Sequence, residues 1–148
     1  WILVAATLFG VVYTSAGAQD MVMGIVQDLE VNRWLILAVM QIILLIFGMF
    51  MDDYAVLTIC APIFIPIAVY LGFDPVWFSI VFILNMQVAY LTPPFGWALI
   101  LMKGVAPPEI HTKNIWQAVP PFVAIQLIVL IITMLFPQLA LWLPAKML

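Results

Sequence analysis

The residues able to hold an ion or a charged solute fall into two short segments of an otherwise apolar sequence. One segment is the acidic pair Asp52-Asp53, and the other is residues 85–96, which contain a Thr-Pro-Pro sequence. Pro93 and Pro94 have no backbone N–H, so carbonyls of the preceding turn lose their helical partners. Unpaired carbonyls, together with amide and hydroxyl oxygens, are the ligands with which broken helices in transporters hold sodium. The chemistry indicated is therefore cation binding.

The Thr-Pro-Pro segment lies inside an apolar run of residues 76–102, which is long enough to cross a bilayer. Thr92 precedes a proline and is pushed toward extended geometry, while Gly96 adds backbone freedom. At membrane depth each unpaired backbone group costs several kcal/mol unless protein, water or an ion satisfies it. We therefore expect a broken helix whose gap binds something, as in many secondary transporters.

No constellation of residues predicts catalysis or a further metal site. Adjacent carboxylates point in different directions on a helix, so Asp52 and Asp53 cannot form a catalytic dyad. His111 is the single histidine and Cys60 the single cysteine, which excludes a cysteine-based metal centre. Asn85 has two open roles, because its amide can bond a neighbouring helix or turn toward the gap. We therefore expect that the protein is not an enzyme and that it binds no metal ion other than sodium.

The composition predicts an integral membrane protein built from α-helices. Hydrophobic residues make up 68% of the 148 residues and charged residues 7%, against about a quarter charged in soluble domains. A net charge of −3, from seven acidic and four basic residues, gives no reason to expect a nucleic-acid partner. Because the chain opens at Trp1 on an apolar run without a basic leader, we expect no signal peptide and a longer parent chain.

The hydropathy pattern and its breaks divide one domain into six segments. The expected order is the end of a transmembrane helix (1–14), an amphipathic helix (18–31), an apolar hairpin (33–72), a broken transmembrane helix (75–104), a connecting arm (106–118) and a last transmembrane helix (119–137). Asp74 followed by Pro75 is typical of a helix start.

The apolar stretch 33–72 allows two interpretations. At 1.5 Å per residue each half nearly crosses the hydrocarbon, which favours two spans joined by a solvated Asp52-Asp53 turn. Alternatively, a re-entrant hairpin places a tip at residues 48–53 in the middle of the membrane. There Gly48 lets backbone approach an ion, and Asp52 or Asp53 caps the second arm.

Five short motifs follow one another along the sequence: Gly48-Met-Phe-Met-Asp-Asp53, Pro62-Ile-Phe-Ile-Pro66, Gly72-Phe-Asp-Pro75, Leu84-Asn85 and Leu91-Thr-Pro-Pro-Phe-Gly96. In order and spacing they resemble the large membrane subunit of TRAP (tripartite ATP-independent periplasmic) transporters of bacteria and archaea. The resemblance covers the whole chain but only the C-terminal third or so of such a subunit. It implies an all-α, elevator-type, sodium-driven importer of organic acids in the inner membrane, built from inverted repeats. Each repeat has a re-entrant hairpin and a broken helix, which favours the hairpin interpretation.

The resemblance also implies partners and site residues. A periplasmic binding protein delivers the carboxylate substrate, and a small membrane subunit completes the transporter. The sodium site predicted from the break and the resemblance consists of Gly48, Asp52, Asp53, Asn85, Thr92 and Pro93. The expected substrate contacts are Thr92, Pro94 and Gly96, close to helix N-termini whose dipole is positive. The alternative function is a structural or accessory membrane subunit in which the Pro-Pro break is only a packed kink.

Overall fold

The structure, a computed structural model, describes residues 1–28, 31–94 and 96–147, and the regular elements in these residues are all helices. Their bounds are α1 Ile2–Ser15, α2 Ala18–Asp28, α3 Arg33–Phe50, α4 Asp53–Tyr70, α5 Pro75–Leu91, α6 Trp97–Val105, α7 Thr112–Ala118, α8 Pro120–Leu135, α9 Gln138–Leu141 and α10 Pro144–Met147. The expectation of an all-α fold is confirmed for the described residues.

Among the described residues, three helical stretches are long and apolar enough to cross a membrane: Arg33–Phe50, Asp53–Tyr70 and Thr112–Leu135, the last of which joins α7 to α8. The apolar helix α5 is shorter, because it ends at Leu91 before the two prolines. The next helix starts at Trp97, so the helix is interrupted where the Thr-Pro-Pro sequence lies.

Short polar side chains start three of the helices. Asn32 accepts a hydrogen bond from the Trp34 N–H at 2.9 Å. Asp52 accepts from the N–H groups of Tyr54 and Ala55, both at 3.1 Å. Asp74 accepts from Val76 and Trp77 at 2.8 and 3.0 Å, as its position before Pro75 predicts. These caps satisfy N–H groups that a helix leaves unpaired at its start.

Helices α3 and α4 form an antiparallel pair joined by Met51 and Asp52. At the open end the Trp34 ring meets Phe73 edge-on, with 5.2 Å between ring centroids. Trp34 also lies 6.4 Å from the ring of Trp77, near the start of α5. The start of α3, the end of α4 and the start of α5 therefore lie together, in a region we call the hairpin base. The opposite end, residues 48–53, is the hairpin tip.

Helix α5 is the centre of the fold and packs against α3, α4 and α8. Its buried side chains form the middle of the apolar core: Trp77, Phe78, Val81, Phe82 and Met86. The Trp77 indole N–H donates to the Thr133 carbonyl of α8 at 2.9 Å, which satisfies the one polar atom of a fully buried ring.

Helix α2 lies against α1 and α4. Val22, Met23 and Val26 of α2 pack on the core, while Met21 and Ile25 remain 70% and 52% exposed. Residues 29 and 30 of the amphipathic segment predicted at 18–31 are outside the described part of the chain.

Candidate ion site at the hairpin tip and the helix break

The hairpin tip lies against the last turns of α5. A Cβ atom built on Gly48 comes within 2.6 Å of the Ala89 Cβ and 3.2 Å of the Met86 Cε. Real Cβ atoms do not approach backbone-anchored atoms so closely, so a side chain at position 48 forces the helices apart. Gly48 therefore places the tip beside the end of α5.

Two helix C-termini meet at this place. Contacts of Trp34 with Trp77, Gln41 with Asn85 and Gly48 with α5 follow one another along the helices, so α3 and α5 run parallel. They end at Phe50 and Leu91. Each C-terminus carries about half a negative charge from its unpaired carbonyls. Their juxtaposition creates a region that attracts cations.

Asn85 connects α5 to α3 and keeps one oxygen unused. Its Nδ2 donates to the backbone carbonyl and to the Oε1 of Gln41, both at 2.7 Å. Asn85 is 1% exposed, and within the described residues its Oδ1 is buried without a hydrogen-bond partner, as is the Nε2 of Gln41. The amide thus serves as an interhelical bond through its nitrogen and keeps a free acceptor.

The two aspartates of the tip have different surroundings. Asp52 uses its Oδ1 to cap α4. Asp53 has a buried Oδ1 without a partner in the described part of the chain, and it lines a cavity of about 360 Å³. Gln87 and Tyr90 of α5 line the same cavity.

At the break, Thr92 donates hydrogen bonds to two carbonyls near the end of α5. Its backbone N–H donates to the Ala89 carbonyl at 3.0 Å, and its hydroxyl donates to the Val88 carbonyl at 2.7 Å. Pro94, four residues after Tyr90, has no N–H to offer the Tyr90 carbonyl. Both hydroxyl lone pairs of Thr92 remain available, because that group acts here as a donor.

Gly96 starts α6 with left-handed geometry, φ 51° and ψ 63°, which glycine adopts without a steric penalty. Its carbonyl accepts from the N–H groups of Leu99 and Ile100, at 2.7 and 3.2 Å. Gly96 therefore turns the chain after the break so that a second helix can begin.

The residues of the predicted site are only partly brought together. Gly48 and Asp53 lie on the α5 side of the tip, whereas Thr92 and Pro93 line a different cavity of about 380 Å³ facing α8. Pro94 lines a third cavity, of about 330 Å³, together with Lys103. The structure thus places the predicted ion and substrate residues around the break rather than in one chamber.

Comparison with known proteins decides the family. A model of the tripartite ATP-independent periplasmic transporter, DctM component, matches residues 1–139. The chain belongs to this family. The resemblance carried by the sequence motifs is thus confirmed.

Relatives of this TRAP permease chain carry transporter names. The C4-dicarboxylate TRAP transporter large permease protein DctM of Pseudomonas aeruginosa is 35% identical over 144 residues, which are 97% of this chain and 33% of that protein. The sialic acid TRAP transporter large permease protein SiaM of Vibrio cholerae is 31% identical, over 96% of this chain and 33% of its own length. The 2,3-diketo-L-gulonate TRAP transporter large permease protein YiaN of Escherichia coli is 28% identical, over 95% of this chain and 38% of its own length.

The TRAP permease chain spans about a third of the length of the curated relatives that it matches. No solved structure matches it. The relatives named here are transporter permeases and not enzymes.

Sequence reasoning on this TRAP permease gave the side chains of three polar residues no part in the site. Gln41 pairs with Asn85, and Gln87 and Tyr90 share the cavity of Asp53. Gln41 carries a signal in the sequence, because it lies seven residues, two helical turns, before Gly48 and therefore on the same face of α3. The other two become evident only when α4 is placed beside α5.

Proposed function

We propose that this chain supplies one ion-binding half of the large permease in a sodium-coupled importer of organic acids. The complete transporter takes its substrate from a periplasmic binding protein and includes a small membrane subunit. It operates in the inner membrane of bacteria or archaea. The observation that carries this proposal is the meeting of the α3 and α5 C-termini at the hairpin tip, with the buried acceptor oxygen of Asn85 six residues before the end of α5.

The charges at the tip favour a cation. Two helix C-termini contribute about one negative charge, and the carboxylates of Asp52 and Asp53 add to it. The α4 N-terminus offsets only about half a charge, and the Asp52 cap already neutralises part of that. Arg33 starts α3, 17 residues or about 25 Å from the end of the same helix.

In this proposal the Na⁺ ligands come from both sides of the contact between α3 and α5. We assign the carbonyls near Gly48 and those of residues 90–93, including Pro93, to the ion, with the Asn85 Oδ1 or the Thr92 hydroxyl oxygen completing the set. Asp52 and Asp53 balance the charge without direct contact, since an ionisable group in a membrane needs a partner. Sodium binding then holds the tip against the break.

The substrate carboxylate binds on the other side of the break. Thr92, Pro94 and Gly96 border the start of α6, where the positive end of the helix dipole attracts an anion. Lys103 lines the same cavity as Pro94 and adds a positive charge. The names of the relatives mention C4-dicarboxylates, sialic acid and 2,3-diketo-L-gulonate, which are organic acids. We therefore assign an organic acid as the substrate class.

The antiparallel pair α3–α4 is a re-entrant hairpin in this proposal, and it moves with the broken helix in an elevator-type transport domain. The hairpin base then stays near one membrane surface, and the tip holds the ion near the midplane. Alternating access of this domain, with the ion and the acid bound together, couples the ion gradient to uptake.

Reconstitution of the complete transporter tests this function. Proteoliposomes that contain both membrane subunits, with the binding protein outside, should accumulate a labelled organic acid under an inward Na⁺ gradient. Replacement of Na⁺ by K⁺ at equal ionic strength should abolish accumulation. Equal uptake with K⁺ would exclude sodium coupling, and it would favour the interpretation of the break as a packing kink.

A further inference from the structure

The hairpin base contains a small cavity with two opposite charges and aromatic walls. Its volume is about 260 Å³, and Arg33 and Asp74 line it together with the rings of Trp34, Phe73 and Trp77. A water molecule occupies about 30 Å³ of liquid, so the space admits a group of several heavy atoms. This end of the hairpin is remote from the proposed ion site.

The arginine is held in position without neutralising the aspartate. Its Cζ lies 5.5 Å from the Phe73 ring centroid and 5.8 Å from that of Trp34, the geometry of a cation–π contact. In the described part of the chain no ion pair joins Arg33 to Asp74. Asp74 uses Oδ1 to cap α5, which leaves its second carboxylate oxygen for another donor.

We propose that this cavity binds the headgroup of a phospholipid that carries a primary ammonium, such as phosphatidylethanolamine. The Arg33 guanidinium contacts the phosphate, since its planar donors match phosphate oxygens. The free oxygen of Asp74 accepts N–H bonds from the ammonium. A choline headgroup has no N–H to donate to Asp74, and Arg33 already lies over the rings of Trp34 and Phe73.

A lipid fits this place better than a soluble phosphate ester. The cavity lies where three apolar helices start or end, and tryptophan and arginine at such ends are typical of the membrane interface. Leu35 and Val76 adjoin lining residues and are 56% and 45% exposed, so apolar surface for acyl chains borders the headgroup. The binding site is independent of the sodium site at the tip.

The test measures lipid binding to the complete large permease. The purified protein is titrated in detergent with phosphatidylethanolamine or phosphatidylcholine of identical acyl chains, and bound lipid and the thermal midpoint are recorded. We expect about tenfold tighter binding of the ethanolamine lipid, the effect of one charged hydrogen bond. Asp74→Asn should remove this preference while preserving the cap, since asparagine caps helices as well as aspartate.

Further variants test the Arg33 charge separately from that of Asp74, and a soluble headgroup tests whether the ligand is a lipid. Arg33→Gln should weaken binding of both lipids about tenfold. Lys146→Gln removes another cation over a tryptophan, 4.7 Å from the Trp142 ring, and should leave both affinities unchanged. Equal affinity for the two lipids in the unmodified protein, or an undiminished preference in Asp74→Asn, would overturn the proposal. Stabilisation by soluble glycerophosphoethanolamine equal to that by the lipid would also overturn it.

Discussion

At the scale of single residues, Gly48 sets the distance between α3 and α5. Because an added Cβ would meet the Ala89 Cβ at 2.6 Å, the substitution Gly48→Ala must push the two helices apart. We expect it to lower the free energy of unfolding by about 1–3 kcal/mol, as overpacking does. It should also reduce sodium-driven uptake, because both helix ends move. Thermal unfolding and uptake assays of the complete transporter measure the two effects.

Two matched variants test the cause of this loss. Ala89→Gly removes the atom that the new Cβ meets, so Gly48→Ala combined with Ala89→Gly should recover much of the uptake. Gly24→Ala in α2 should be neutral or stabilising by up to about 1 kcal/mol, because an added Cβ there has nothing within 4 Å. Failure of the double variant to exceed Gly48→Ala would show that the clash is not the cause.

Thr92 and Asn85 are the residues through which the sodium proposal is tested most directly. Thr92→Ala and Asn85→Ala should each raise the Na⁺ concentration for half-maximal uptake, by about tenfold if each removes 1.4 kcal/mol of ion binding. Docking of the binding protein should stay intact in both variants. Unchanged sodium dependence in both, at normal expression, would exclude these two residues from the ion site.

Controls separate ligands from packing residues. Thr133→Ala removes a hydroxyl that donates to the Val129 carbonyl at 2.9 Å, the same arrangement as in Thr92, but on α8. Gln41→Ala breaks the amide pair and leaves the Asn85 Oδ1 in place. We expect both controls to lower stability without a comparable change in sodium affinity. If Gln41→Ala instead matches Asn85→Ala, then Asn85 acts only as an interhelical bond.

At the scale of the elements, local sequence chemistry predicted where helices begin and end, but it did not predict which helices pack against each other. Two prolines end α5 whatever surrounds them, and Asp74 before Pro75 caps its start. The bond from Asn85 to Gln41 joins residues 44 positions apart, so it depends on how α3 packs against α5. The cavity of Asp53 likewise exists only once α4 lies beside α5. The sequence therefore allowed the candidate residues to be chosen, but it did not indicate that they line separate cavities.

The hairpin α3–α4 gives a topological prediction. In a Cys60→Ala background, single cysteines at Arg33 and Gly72 should react with a membrane-impermeant reagent from the same side. A cysteine at Tyr54, which is 68% exposed beside the tip, should react poorly from either bulk phase if the hairpin is re-entrant, because such a hairpin holds its tip inside the membrane. Labelling of the complete subunit in oriented membrane vesicles measures all three positions.

The outcome at the tip decides between the two interpretations of residues 33–72. Arg33 and Gly72 lie on one side under both, so they serve as the internal control. Rapid labelling of Tyr54→Cys from the side opposite Arg33 would establish two full spans, which the lengths of α3 and α4 permit. The sodium site would then lie at a membrane surface and lose the low dielectric that strengthens it.

At the scale of the whole molecule, α5 links the places to which we assign functions. Its start lies at the hairpin base, its middle is bonded to α3 through Asn85, and its end borders the break. The Trp77 bond to the Thr133 carbonyl ties it to α8. An ion that holds the hairpin tip against the end of α5 therefore stabilises the packing of three helices together.

This connection predicts that sodium stabilises the complete large permease against thermal unfolding. A ligand that binds only the folded state at 100 times its dissociation constant adds about 2.7 kcal/mol. The thermal midpoint should therefore rise with Na⁺ relative to equal concentrations of K⁺ or choline. Thr92→Ala should shift this rise to higher Na⁺ concentrations, and Thr133→Ala should leave the sodium dependence unchanged. Identical midpoints in Na⁺ and K⁺ would favour a structural or accessory subunit, because a packed kink without an ion site has no reason to distinguish the two cations.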